Sequence, residues 1–231
     1  SYMPAFLAGT GVARTLAAAT GAKLHIVSHQ ENHLEAGVWS AGGPEAERFL
    51  LLHASGGTTD MILAEKQEDG RFKLAEVGGS IDLHAGQFID RVGVALGLQF
   101  PTGPHLEKLA ATADESEMVE LPVSVRKMNV SLSGPATAAL RKLEAGADGA
   151  ALALGVQYAL AETFTRMLRN GAAEYKVNAV LLVGGVASNS YIRKHVTEKL
   201  AKRRVSVWVP EGRFSCDNAT GNAAFAWRMN K

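Results

Sequence analysis

The apolar positions along the chain change period several times, and each change marks an element. Residues 4–20 carry small and apolar side chains at helical spacing and end at Gly21, suited to the left-handed turn that closes a helix. Their alanine and glycine content predicts close packing against a sheet. Residues 23–28 alternate with period two and predict a short strand. Residues 29–39 return to helical spacing, and Gly42-Gly43-Pro44 breaks the chain. From Arg48 the pattern becomes strand-like: 49–54, 59–66 and 72–77, with Asp69-Gly70 as a hairpin signal between the last two. Helices are predicted over 84–98, 104–112, 136–145 and 149–170, with 115–125 left unassigned. Residues 178–183 read as a strand buried on both faces, 189–204 as an amphipathic helix, 205–209 as a strand and 218–229 as a final helix. Hairpin-linked strands, then helices, then strand–helix–strand–helix, predict an α/β fold.

Composition narrows this only modestly. The 231 residues are 47% hydrophobic and 20% charged, as expected of a globular chain of one large or two small domains. A net charge of +1 argues against a strongly basic nucleic-acid binder, though not against a local basic patch. The single cysteine, Cys216, excludes an internal disulfide framework and fits a reducing cytoplasm. No apolar run reaches membrane-spanning length, and Ser1-Tyr2-Met3-Pro4 lacks the basic start of a signal peptide.

Candidate chemistry begins at His29-Gln30-Glu31-Asn32-His33. Residues i and i+4 share a helical face, so His29 and His33 could share a metal ion or be two unrelated face histidines. A zinc-protease reading requires an acid directly after the first histidine, and Gln30 stands there. At 3.6 residues per turn Glu31 points about 160° from each histidine, so it is badly placed as a general base for a metal-bound water. Ser55-Gly56-Gly57-Thr58-Thr59 is either an ordinary hairpin turn or a phosphate-approaching loop. Gly184-Gly185 lies between a buried strand and a helix bearing Asn189, which suits a nucleotide or a plain tight turn. Asp90 could meet a ribose or pair with Arg91. Asp217 is placed as a helix N-cap or a carboxylate ligand, and Cys216 reads as a small packed residue. The basic cluster of Arg193, Lys194, Lys199, Lys202, Arg203 and Arg204 reads as a solvated face.

In their shared order these blocks resemble the TsaD/Gcp (Kae/YgjD-type) tRNA threonylcarbamoyltransferase family. His29-Gln30-Glu31-Asn32-His33-Leu34 resembles its H-x-E-x-H-L motif, and Ser55-Gly56-Gly57-Thr58-Thr59 its S-G-G-[HN]-T loop. Ile81-Asp82 through Gly86, Phe88 and Asp90, then Leu96-Gly97-Leu98 and Pro101-Thr102-Gly103-Pro104, resembles its I-D-D-A-x-G-E block and the P-G-G-P that follows. Ser131-Leu132-Ser133-Gly134, Gly184-Gly185-Val186-Ala187-Ser188-Asn189 and Cys216-Asp217-Asn218 resemble S-F-S-G, G-G-V-[AS]-x-N and C-x-D-N. The chain departs from these patterns at Thr58, Leu83, Gln87 and Thr102, and it shows no G-I-E-T-S-C-D-type opening loop.

The resemblance implies an actin/heat-shock-ATPase/sugar-kinase-like fold of ribonuclease-H-like lobes with the first lobe incomplete. Residues 1–46 would be the remainder of that lobe and 47–231 the second, with about 216–231 packing back on the first. It implies a divalent metal, iron or zinc, held by His29, His33 and Asp217. It implies an adenine nucleotide or threonylcarbamoyl-adenylate on Ser55, Gly56, Gly57, Thr58, Thr59, Asp90, Gly103 and Asn189. In archaeal and eukaryotic relatives a tyrosine two residues before the S-G-G loop adds a ligand; His53 occupies that place here and shares a strand face with Ser55. The implied reaction is threonylcarbamoyl transfer to N6 of the adenosine 3′ of a tRNA anticodon. The implied partners are tRNA and proteins of the threonylcarbamoylation machinery, with room for a homodimer, in the cytoplasm and away from membranes. The missing opening loop leads to the expectation that this chain alone is inactive, and it leaves a silent binding module of the same fold as the alternative. An older family label, glycoprotein endopeptidase, is disfavoured by the Glu31 direction. A plain ATPase or sugar kinase is disfavoured by the paired histidines.

Overall fold

A computed structural model describes residues 3–215 and 218–230, with side chains from residue 7 onward. Among these, seven strands make one sheet in the order β4-β5-β3-β2-β1-β6-β7. Strands β1 (Arg48–Ala54), β2 (Thr59–Lys66) and β3 (Phe72–Ser80) form the antiparallel meander that the strand-like runs and the hairpin signal predict. Strand β6 (Ala179–Val183) then joins β1 in parallel, and β7 (Ser206–Trp208) joins β6 in parallel. This order, with only the second strand reversed, is that of a ribonuclease-H-like lobe. A small hairpin, β4 (Ser124–Arg126) and β5 (Asn129–Ser131), extends the sheet by pairing β5 with the end of β3. That hairpin was not legible in the sequence, because three-residue strands show no period.

Side-chain alternation divides the sheet into two cores. Leu50, Leu52, Ala54, Met61, Leu63, Val180 and Leu182 face one way, against α6 (Gly149–Tyr175) with its buried Leu160, Phe164 and Leu168. Phe49, Leu51, Ile62, Ala64, Leu181 and Val183 face the other way, against Leu34 of α2 (His29–Ala41). Gly37 lets α2 approach β6 closely: a Cβ there would lie 2.8 Å from Val183 Cγ1. Three helices pack around α6: α3 (Ala85–Ala95), α4 (Gly103–Ala110) and α7 (Ser190–Ala201). Helix α5 (Ser133–Glu144) follows the small hairpin, and α8 (Gly212–Ser215) and α9 (Thr220–Arg228) close the chain beside α2.

Two expectations fail near the N-terminus. Residues 23–28 form no strand: the segment is held by side chains instead, with the His25 ring edge-on to Phe225 and the Arg71 guanidinium donating to Ile26 O. Helix α1 (Met3–Thr20) forms, but it is not packed on a sheet. Its Leu7, Val12 and Leu16 are exposed, and its Gly9 and Gly11 meet nothing. Without a strand at 23–28 there is no sheet face beneath it. Elsewhere α6 continues past the predicted end at 170 to Tyr175, where Lys176 closes it in the left-handed conformation with its N–H on Ala172 O.

Candidate functional site

Helix α2 begins with a capping box. Ser28 Oγ accepts from the Glu31 N–H at 3.2 Å, and Glu31 Oε2 accepts from the Ser28 N–H at 2.8 Å. Burial pushes the Glu31 carboxyl up, but the Ser28 N–H, the Arg71 guanidinium at 2.7 Å and the Ser28 hydroxyl outweigh it and hold the group below its ordinary range. Glu31 is therefore committed away from the histidines, as the helical geometry predicts.

His29 and His33 lie on the face of α2 turned toward the end of β1, where His53 shares the parity of Phe49 and Leu51 and so projects from the same side of the sheet. The three rings meet. Centroids are 4.6 Å apart for His29–His33, 4.2 Å for His33–His53 and 5.9 Å for His29–His53. One ring nitrogen from each lies within 4.8 Å of the others, and His33 and His53 are each 2% exposed. Metal–imidazole bonds of about 2.0–2.1 Å put ligand atoms about 3–4 Å apart, so small ring rotations would let this donor set close on one ion. Asp217 lies outside the described residues.

The loop at 55–59 is braced internally and from α3. Ser55 Oγ accepts from the Thr58 N–H at 3.1 Å and lies 2.7 Å from Thr58 Oγ1, which in turn lies 3.3 Å from His53 Nδ1. The Gly86 N–H donates to Ser55 O at 3.0 Å, and Thr59 Oγ1 accepts from the Ala85 N–H at 2.8 Å. Only glycine fits at 86, since a Cβ would stand 2.6 Å from Gly56 Cα. Gly56 and Gly57 themselves face open space. The β6 turn reaches the same place: Gly184, at φ +98°, lies against the Ala54 carbonyl, which also accepts from the Val186 N–H at 3.0 Å. Both loops thus sit at the C-terminal ends of the parallel pair β1 and β6, where open α/β sheets place ligands.

The remaining predicted residues join this end through a chain of bonds between helices. Asp90, one turn beyond Gly86 on α3, accepts from Thr102 N–H at 2.9 Å and Thr102 Oγ1 at 3.0 Å; that anchors the start of α4 at Gly103. Thr102, rather than Arg91, is its partner. Glu107 on α4 accepts from the Ser190 N–H at 2.8 Å and from the Ser190 hydroxyl. Ser190 follows Asn189, whose Oδ1 caps α7 by accepting from the Ile192 N–H at 3.0 Å. The loop at 55–59, Asp90, Gly103 and Asn189 are therefore brought to one end of the sheet. Glu107 was missed in the sequence, where it reads as an ordinary helix-surface acid. A cavity of about 330 Å³ adjoins this chain of bonds between α4, α6 and α7, lined by Glu107, Ala110, Leu154, Gln157, Ser190 and Tyr191.

Asp82 does different work. It accepts from Ser131 Oγ at 2.6 Å, Ser133 Oγ at 2.5 Å, Leu132 N–H at 2.9 Å and Leu83 N–H at 2.6 Å. Partial burial raises its carboxyl, but these donors prevail and hold it far below the usual carboxylate range. The Ser131-Leu132-Ser133 block is thus the clamp for Asp82. Asp60, directly across from His53 in the ladder, is pushed up by burial, opposed by the charge of His84 and the Thr59 backbone.

A ribonuclease-H-like sheet with glycine loops at the ends of its parallel strands defines the actin, heat-shock ATPase and sugar kinase class of folds. Solved structures agree. T. kodakarensis HypF superposes with a TM-score of 0.73 at 15% identity, covering 96% of this chain and 39% of that one. Full-length HypF in its phosphate- and nucleotide-bound form gives 0.68 at 13% identity, covering 89% and 36%. The family follows from sequence: the model for TsaD, tRNA N6-adenosine threonylcarbamoyltransferase, matches residues 2–224, and the chain belongs to that family. A probable bifunctional tRNA threonylcarbamoyladenosine biosynthesis protein of Methanothermobacter thermautotrophicus is 34% identical over 224 residues, 97% of this chain and 40% of the relative. The tRNA N6-adenosine threonylcarbamoyltransferases of Thermus thermophilus and Methanopyrus kandleri are 35% and 33% identical over 98% and 97% of this chain, which spans 67% and 62% of their lengths. Among the described residues no helix is long and apolar enough to cross a membrane.

Proposed function

We propose that this chain carries the site at which threonylcarbamoyl passes from threonylcarbamoyl-adenylate to N6 of the adenosine 3′ of a tRNA anticodon, working with tRNA and with partner proteins of that machinery. The observation that carries the reading is the meeting of His29, His33 and His53 beside a glycine loop whose other side opens on the linked set of Asp90, Gly103, Glu107 and Asn189. At His29, His33 and His53, with Asp217 as a further donor, a divalent ion would supply Lewis acidity to the carbamoyl carbonyl. Imidazole donors favour zinc or iron over magnesium. Gly56 and Gly57, open to solvent, let a phosphate come close to the backbone. Asp90 fixes the α4 start, Glu107 offers a carboxylate to a ribose, and the adjoining cavity receives the base. In this reading residues 1–46 belong to a first lobe and 47–231 to a second.

The test is adenylate binding by calorimetry, together with transfer to tRNA in the full protein. Ala111→Trp places a ring at the cavity mouth from an exposed helix end and is expected to weaken adenylate binding at least tenfold, leaving metal content unchanged. Wild-type adenylate affinity in both Ala111→Trp and Asn189→Ala removes the nucleotide site from this end of the sheet.

A further inference from the structure

We propose, resting on the metal and nucleotide reading above, that the Thr58 hydroxyl couples the two halves of the site. His53, once one of its ring nitrogens holds an ion, turns the Thr58 O–H toward an anionic group on the glycine loop, and each ligand tightens the other.

Thr58 is half-buried and is the loop position where the chain departs from the S-G-G-[HN]-T pattern. The Ser55 N–H donates to Thr58 O at 2.9 Å and closes the turn, which brings the Thr58 side chain back over the end of β1. There its Oγ1 lies 3.3 Å from His53 Nδ1 and 3.3 Å from His53 Nε2. Equal distances leave the hydroxyl committed to neither nitrogen. The terminal torsion of a histidine is broad, so a small ring rotation gives Thr58 one nitrogen and turns the other toward His33, whose ring centroid is 4.2 Å away.

A count of donors and acceptors fixes what the hydroxyls do. Ser55 Oγ has two lone pairs, and it accepts from the Thr58 N–H at 3.1 Å and the Gly57 N–H at 3.3 Å. Its own proton therefore lies along the 2.7 Å line to Thr58 Oγ1, and Thr58 accepts it. Thr58 keeps one lone pair and one proton. Opposite an unprotonated ring nitrogen, Thr58 donates that proton to His53. A neutral imidazole carries one N–H, so a His53 nitrogen that holds an ion leaves the proton on the other. That N–H donates to the last Thr58 lone pair, as the groups behind a ligating histidine commonly accept from it. The Thr58 proton then has to leave the ring and turn to the open side of the loop, where Gly56 and Gly57 face free space. A phosphate oxygen close to those glycines accepts it. Linkage makes the effect mutual, so nucleotide binding favours the ion by the same factor.

The experiment titrates the whole chain with adenosine monophosphate by calorimetry, with and without saturating Co²⁺. It also titrates Co²⁺ by its visible spectrum, with and without the nucleotide. In the wild type each ligand is expected to tighten the other about fivefold to tenfold, equally in both directions. Thr58→Val keeps the branched shape without the hydroxyl and is expected to cut that factor below about twofold, whereas Thr58→Ser retains it. Thr58→Ala repeats the test if the valine variant does not fold. A Thr58 that served loop shape alone would weaken nucleotide binding equally with and without Co²⁺. An unchanged factor in the valine variant, or no coupling in the wild type, overturns the proposal and leaves the metal reading standing. Wild-type Co²⁺ binding in His29→Ala overturns that reading and the coupling with it. Absence of nucleotide binding under both conditions overturns the nucleotide reading and the coupling together.

Discussion

His33 on α2 and His53 on β1 hold their rings 4.2 Å apart, centroid to centroid, both almost fully buried. The contact exists because Gly37 brings α2 onto the sheet face from which His53 projects. If the three rings share an ion, His29→Ala and His53→Ala should each lower the zinc or iron content of the purified protein by more than half. Full metal content in the His29 variant ends the shared-ion reading, whereas loss in that variant only removes His53 from the set.

Gly86 is the second point of close approach. Its absent side chain leaves room for the backbone of residues 55 and 56, which cannot yield as a flexible side chain would. Gly86→Ala should push the glycine loop outward, cost about 1–3 kcal/mol in denaturant unfolding and weaken adenylate binding at least tenfold. Normal adenylate affinity in a folded Gly86→Ala protein would separate this loop from the nucleotide.

The Asp82 clamp sets a pH dependence. Its folded-state pKa lies below the unfolded one, so its contribution is complete above the ordinary aspartate value of about 3.9 and fades as pH falls below it. Asp82→Asn should cost about 1–2 kcal/mol at pH 7, the multiple donors being discounted for partial exposure. The gap between variant and wild type should narrow steadily in unfolding curves taken from pH 5 downward. A gap that persists at low pH would assign the loss to shape rather than charge.

Arg228 and Glu35 tie α9 to α2 with little help from solvent: Glu35 is 5% exposed, and burial pushes its carboxyl up against the pull of Arg228. Removing the cation strands a buried carboxylate. Arg228→Ala should cost about 2–4 kcal/mol, and adding Glu35→Gln should recover a measurable part of it, read as a positive coupling in a double-mutant cycle. Strictly additive losses would mean the pair does not interact energetically.

Much of this architecture could be read from the chain. The meander 48–80 follows from short apolar runs bounded by turn signals, among them the Asp69-Gly70 turn, where Asp69 Oδ1 accepts from the Arg71 N–H at 2.9 Å. The glycine turn at 184 is a local rule of spacing and backbone angle and is legible in the chain, whereas the capping box at Ser28 and Glu31 and the Asn189 cap, equally local, become apparent only in the structure. The strand at 23–28 misled for a non-local reason. Alternation records which side chains are buried, but a ladder also needs a free neighbouring edge, and here His25 and Ile26 O are held by Phe225 and Arg71 instead.

What the sequence determined by itself was the donors and their order: two histidines one turn apart, a third two residues before a glycine loop, acids and an asparagine at later turns. Only the tertiary structure decided which of them meet. Asp82 turned to the hydroxyls of Ser131 and Ser133, Asp90 to Thr102, and Glu107, unremarked in the chain, to Ser190. Such pairings depend on strand order and on how near glycines let backbones come, which are non-local quantities. A helix-surface acid and an acid that bridges two helices have the same neighbours in sequence and differ only in what folding places opposite them.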